Sequence, residues 1–93
     1  MIVITATMKA RPGQGDALVA EMNRIATEVE KEAGNHCYLV HQSLEEPDTV
    51  LIYEQYADQQ AVAAHRDHMT ELGGGLKDLL AGRPEIQLFS LKR

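Results

Sequence analysis

The sequence predicts an α+β fold, a ferredoxin-like split βαβ sandwich with a four-stranded antiparallel sheet that meets a second copy of itself. Three observations predict it. Stretches with a period of two fall near residues 2–9, 36–44, 49–56 and 85–91. Two stretches with helical spacing separate them, over residues 16–33 and from Asp58 onward. Both faces of the strands carry apolar residues, whereas two helices can cover only one face.

The first strand, "IVITATMK", is rich in β-branched residues and places Ile2, Ile4, Ala6 and Met8 on one face, with Val3, Thr5 and Thr7 on the other. "ARPGQGD" reads as a loop from its proline and glycines, and Asp16 as the N-cap of the helix that follows. In that helix Leu18, Met22, Ile25 and Val29 make one apolar stripe, with Glu21, Arg24, Glu28 and Lys31 largely opposite. Gly34 reads as a left-handed helix end. "HCYLVHQSL" is the second strand, with His36, Tyr38 and Val40 on one face and Cys37, Leu39 and His41 on the other. The turn "EEPDT", centred on Pro47-Asp48, is short enough to make "TVLIYEQY" its antiparallel hairpin partner.

Asp58 caps the second helix, in which Ala61, Val62 and His65 share a side. Met69, Leu72, Leu76, Leu79 and Leu80 carry the apolar pattern on, but Gly73–Gly75 interrupt it. Each interior glycine costs a helix about 1 kcal/mol relative to alanine. "AGRP" ends this segment and "EIQLFSL" is the last strand. Strand, helix, strand, strand, helix, strand is the split βαβ order, in one domain over residues 1–93. Tyr53 and Leu51 oppose Val50 and Ile52, and Phe89 and Leu91 oppose Ile86 and Leu88. The uncovered face therefore calls for a homodimer, sheet against sheet about a two-fold axis.

Composition narrows the partners. A net charge of −5 with no basic run argues against nucleic acid and against an anionic membrane surface. A lone cysteine, Cys37, cannot form an internal disulfide and suits a reducing cytoplasm. "MIVITATMKA" lacks the basic region and apolar length of a signal peptide or membrane span. There is no phosphate loop, dinucleotide fingerprint or G-x-S-x-G element.

The residues that could carry chemistry gather in "IYEQYADQQAVAAHRDHM", residues 52–69. His65 and His68, three apart on a helix, can face the same way. A metal site needs further ligands at a convincing spacing, and none is present. Packing and acid/base chemistry both stay open for them, the latter because imidazole exchanges protons near neutral pH. Glu54 puts a carboxylate in an otherwise apolar strand, which requires a partner or solvent. Tyr38, Tyr53 and Tyr56 are the only tyrosines, and a flat ligand would meet them first. Met69 could supply an adaptable wall, and His41 is a further candidate for contact with substrate.

Taken together, the opening strand running into "RPG", "EAGN" before Tyr38, the "IYEQY" strand and "AVAAHRDHM" resemble the antibiotic biosynthesis monooxygenase domain across nearly the whole chain. The resemblance implies a dimeric α/β barrel. Members include cofactor-free quinol and anthrone oxygenases, haem-degrading enzymes and isomerase-like proteins acting on small signalling sugars. Asp67 stands where many members carry a proline, and Gly73–Gly75 replace helix-forming residues. The chain has no tryptophan and its first strand no asparagine, which removes the haem-degrading chemistry. The implied reading is a cofactor-independent monooxygenase using molecular oxygen on a small electron-rich aromatic, such as a quinol or polyketide phenol. His65 is then base or hydrogen-bond partner, Glu54 its orienting group and His68 a rim residue, with Tyr38, Tyr56 and Met69 shaping the wall. Two other readings remain: an isomerase or processing enzyme for a small phosphorylated sugar, with Lys9, Arg11 and Arg66 as candidate cations, and a non-enzymatic metabolite-binding module.

Overall fold

The alternation in the sequence is the alternation of the sheet. In the computed structural model, which describes residues 1–93, the elements run β1 (Ile2–Lys9), α1 (Gly15–Val29), β2 (Asn35–Gln42), β3 (Thr49–Tyr56), α2 (Gln59–Leu72), a 3₁₀ helix (Gly73–Asp78) and β4 (Glu85–Ser90). The strands form one antiparallel sheet in the order β2-β3-β1-β4. β1 thus lies between β3 and β4, with Ile4 opposite Glu54 on one side and Leu88 on the other. No helix is long and apolar enough to cross a membrane.

The expected stripe of α1 is the centre of the core. Leu18, Met22, Ile25 and Val29 are fully buried against Ala6, Met8, Val50 and Ile52. Burying side chains of this size contributes about 1.5–3 kcal/mol each. A second cluster, Ile4, Tyr56 and Val62, fixes the start of α2 to the sheet.

Three local expectations change. Asp16 is not the cap of α1: the helix begins one residue earlier, and its first amides are held from across the fold. Asp48, in the β2–β3 turn, accepts from Gly13 N–H at 3.0 Å and Gly15 N–H at 2.8 Å. Asp16 instead accepts from the Gln42 amide at 3.0 Å. α1 also stops at Val29, four residues before its expected end, in tight turns through residues 30–34. Gly34 is not left-handed, since Gly13 is the one glycine with positive φ. Gly34 is required by proximity, because a Cβ there would run into the side chain of Ala61 on α2. Gly73–Gly75 do break the second helix, which tightens into the 3₁₀ turn.

β4 receives no helix above it, and every residue in it is exposed. The opposite face of the sheet is bare as well. Leu39, Leu51, Phe89 and Leu91 stand 38–49% exposed there.

Candidate functional site

The site forms where α2 and the 3₁₀ segment rise away from β1 and β4. It is a cavity of about 230 Å³. Its walls are Ile4, Ala6 and Met8 of β1, Ile86 and Leu88 of β4, Met69 of α2, Leu76 and Pro84. Only Tyr38, Glu54, His65 and Arg66 bring polar groups to it.

Strand register places Glu54. It shares the helix-facing side of β3 with Val50, Ile52 and Tyr56, and is 3% exposed. Asp58 places His65: its side chain accepts from Ala61 N–H at 2.9 Å and starts α2 so that Val62 and His65 face inward. His65 Nε2 lies 3.2 Å from Glu54 Oε1. The same oxygen accepts from the Tyr56 hydroxyl at 3.1 Å. Tyr56 also lays its ring against that of His65, with 4.9 Å between centroids.

The remaining partner of His65 was not among the expected residues. Glu32, in the turn between α1 and β2, meets His65 Nδ1 with both carboxylate oxygens, at 3.2 and 3.1 Å. Its Oε2 also meets His68 Nδ1 at 2.6 Å. Four ionisable side chains thus form a line, Glu54–His65–Glu32–His68, running outward from the cavity floor.

Burial sets the protonation of this line. It pushes the Glu54 carboxyl up to about 7; the Tyr56 hydroxyl opposes the shift and the Glu32 charge adds to it. Burial pulls the His65 imidazole below its ordinary value, against the pull of Glu32 in the other direction. Both effects favour the uncharged pair in which one proton lies between Glu54 and His65. Burial, reinforced by the charges of Glu54 and Glu32, holds Tyr38 and Tyr56 as neutral phenols.

Two polar atoms are left over. Glu54 Oε2 and the Tyr38 hydroxyl have no hydrogen-bond partner within the chain, yet no buried side-chain polar atom is unsatisfied. Both are therefore accessible, and the accessible space beside them is the cavity. His65, in contrast, points both ring nitrogens at carboxylates.

Tyr38, Glu54, His65 and Met69 line the cavity as the sequence suggested. Tyr56, His68 and His41 do not. Tyr56 is fully buried and acts on Glu54 from behind. His68 turns to Glu32 and away from the cavity rim. His41 lies on the open face of the sheet, its Nδ1 beside the Leu51 carbonyl at 3.1 Å. Of the candidate cations only Arg66 reaches the cavity. Lys9 bonds Glu46 and Thr49, and Arg11 bonds the carbonyls of Lys77 and Leu80. No group of three or more His, Cys, Asp or Glu side chains is arranged to hold a metal ion.

Fold and site together define a class: small α+β proteins whose helix-covered sheet encloses a largely apolar pocket beside a buried carboxyl–imidazole pair. The family model for antibiotic biosynthesis monooxygenase matches residues 1–70, and the chain belongs to that family. No curated protein matches it. Among solved structures, a Pseudomonas aeruginosa protein is 26% identical, with a TM-score of 0.87 over 99% of this chain and 94% of its own. A conserved protein from Methanosarcina mazei is also 26% identical, with a TM-score of 0.86 over 98% of this chain and 92% of its own. An antibiotic biosynthesis monooxygenase of known structure is 16% identical, with a TM-score of 0.87 over the whole of both chains, and supports the fold alone.

Proposed function

We propose that the protein is a cofactor-independent monooxygenase acting on a one- or two-ring electron-rich phenol, with Glu54 as the base. The observation that carries this reading is a carboxyl oxygen with no partner in the chain, on a residue with a pKa near 7 that lines an otherwise largely apolar cavity. Size supports the substrate class. An engineered cavity of about 150 Å³ holds one benzene, and drug-sized ligands occupy roughly 300 Å³ or more. At about 230 Å³ the cavity lies between the two, which favours one or two rings over a three-ring anthrone.

The chemistry asks for a base, a donor and exclusion of water. Glu54 Oε2 takes the phenolic proton while the Tyr38 hydroxyl donates to the developing phenolate. The phenolate gives one electron to oxygen, and superoxide and the aryloxyl radical join at a ring carbon bearing hydrogen. The proton kept by Glu54 and His65 returns to the peroxide as its O–O bond breaks. The C–H electron pair of that carbon becomes the second bond of a carbonyl, and its proton joins the departing hydroxide. One oxygen atom stays in the product and the other leaves as water, with all four electrons drawn from the substrate. This assignment exchanges the expected roles of Glu54 and His65, because Glu54 retains an atom free to touch substrate.

The same reading includes a second copy of the chain on the open sheet face. Leu39, Leu51, Phe89 and Leu91 form an apolar patch that no segment of the 93 residues covers, and two such sheets pack face to face about a two-fold axis. A phosphorylated substrate is disfavoured, since Arg66 is the one cation on a cavity that also carries Glu54. Oxygen uptake with one- and two-ring quinols tests the proposal. Uptake with one oxygen atom entering the product is expected; tight binding that proceeds identically under air and argon overturns it.

A further inference from the structure

We propose that Glu32 is the positioning residue of this site: its carboxylate holds His65 in the Nδ1–H form, so that Nε2 is bare toward Glu54 and can take up the proton that Glu54 removes. The inference deepens the base assignment to Glu54, and only its kinetic arm rests on that reading.

The geometry carries it. An ionised carboxylate only accepts hydrogen bonds, whereas a protonated carboxyl can donate one, so with the proton held on Glu54 the His65 nitrogen that bears hydrogen is the one facing Glu32. Glu32 meets His65 at Nδ1 through both oxygens, at 3.2 and 3.1 Å. The Glu32 side chain is 12% exposed and that of His65 is 9% exposed, so water does not replace this contact. With Nδ1 protonated, neutral His65 presents a lone pair at Nε2, 3.2 Å from Glu54 Oε1. When Glu54 gains a proton from substrate at Oε2, the proton on its other oxygen can pass to Nε2. The imidazolium so formed lies between the Glu54 carboxyl, which keeps one proton, and the Glu32 carboxylate. A carboxylate behind a histidine holds the tautomer and stabilises the imidazolium in this way in the serine-protease triad.

His68 completes the arrangement from outside. Its Nδ1 donates to the same Oε2 at 2.6 Å, and its side chain is 30% exposed. It orients the Glu32 carboxylate and gives it a charge-assisted partner nearer to solvent. The groups that bear on His65 are Glu32 from the turn, Tyr38 from β2, Glu54 and Tyr56 from β3, and Arg66 and His68 from its own helix. Among them Glu32 alone occupies Nδ1. Gly34, two residues on, brings the turn against Ala61 of α2 and so sets the distance.

The test uses the whole chain and two variants. Glu32→Gln keeps an oxygen to accept from Nδ1 but removes the charge, and Glu32→Ala removes both. Nitrogen-15 imidazole spectra read the tautomer without any substrate. The Nδ1–H form of His65 is expected in the wild type and in Glu32→Gln, with conversion toward Nε2–H in Glu32→Ala. In kinetics on an accepted quinol, Glu32→Gln is expected to lower kcat at least 10-fold with KM within about three-fold, and Glu32→Asp to recover part of the loss. An Nε2–H His65 in the wild type, or an unchanged tautomer in folded Glu32→Ala, overturns the proposal. So does a Glu32→Gln kcat within about two-fold of wild type. If no quinol is turned over, the base and oxygenase reading fails while the spectra still decide the role of Glu32.

Discussion

Glu54→Gln should stabilise the protein at alkaline pH while abolishing its turnover. In the unfolded chain this carboxyl titrates at its ordinary 4.5, and in the fold burial raises it to about 7. The folded state therefore binds the proton more tightly. The stability this contributes is fully present below pH 4.5, is lost as the pH rises through about 7, and is gone above it. At ~1.4 kcal/mol per pH unit the interval corresponds to about 3 kcal/mol. Glutamine has the shape of the protonated acid: with its amide nitrogen at the Oε1 position it can donate one N–H to His65 Nε2 and the other to the Tyr56 hydroxyl oxygen. The variant should lack the alkaline decline and exceed the wild type by up to about 3 kcal/mol at pH 8. For a domain of this length that is on the order of 10 °C or more in Tm. Urea unfolding from pH 5 to 8 at one fixed protein concentration reads it, since assembly would otherwise enter the comparison. A wild type whose stability is flat between pH 5 and 8, or a variant less stable than wild type at pH 8, refutes the assignment of a raised pKa to Glu54.

Three further outcomes follow from particular contacts. Tyr56→Phe removes the hydroxyl that opposes the upward shift of Glu54, so the loss of stability with rising pH should move to higher pH, at a cost of about 1 kcal/mol at pH 5; an unmoved midpoint in urea unfolding across pH contradicts it. Gly34→Ala forces a methyl group into Ala61 and should cost about 1–3 kcal/mol by denaturant unfolding, with Ala61→Gly in the same chain returning most of it. Leu51→Lys on the open face should yield a folded monomer by sedimentation, and a stable dimer in that variant would place the interface elsewhere.

Much of the fold was legible because its signals are periodic. The α1 stripe of Leu18, Met22, Ile25 and Val29 and the faces of β1 and β3 follow directly from residue spacing. The lapses arose where tertiary contact overrides local signal. Asp16 has the chemistry of a cap, but Asp48 reaches the helix start from another turn. Gly34 resembles a helix-ending glycine, and its real constraint, Ala61, lies on a different helix. At the site, Glu54 and His65 stood out as polar residues at apolar positions. Glu32 did not, because a carboxylate in a polar turn has nothing unusual around it in sequence and its partner is 33 residues away. The i, i+3 spacing of His65 and His68 correctly put them on one side of α2, but spacing does not say that the side includes a turn as well as a cavity. Alternation from Tyr38 puts His41 on the opposite face of β2, which spacing alone already implies.

The central claim is that a free oxygen of Glu54 removes a proton from a small phenol, which then reacts with oxygen unaided. Oxygen consumption by wild type and Glu54→Gln, over a panel of one- and two-ring quinols at pH 8, tests it most directly. The account predicts uptake by the wild type with one oxygen atom recovered in the product, and uptake at the uncatalysed rate by a variant that is folded and still binds the quinol. Wild-type rates in Glu54→Gln, or no uptake by either protein with a quinol that binds, would contradict it.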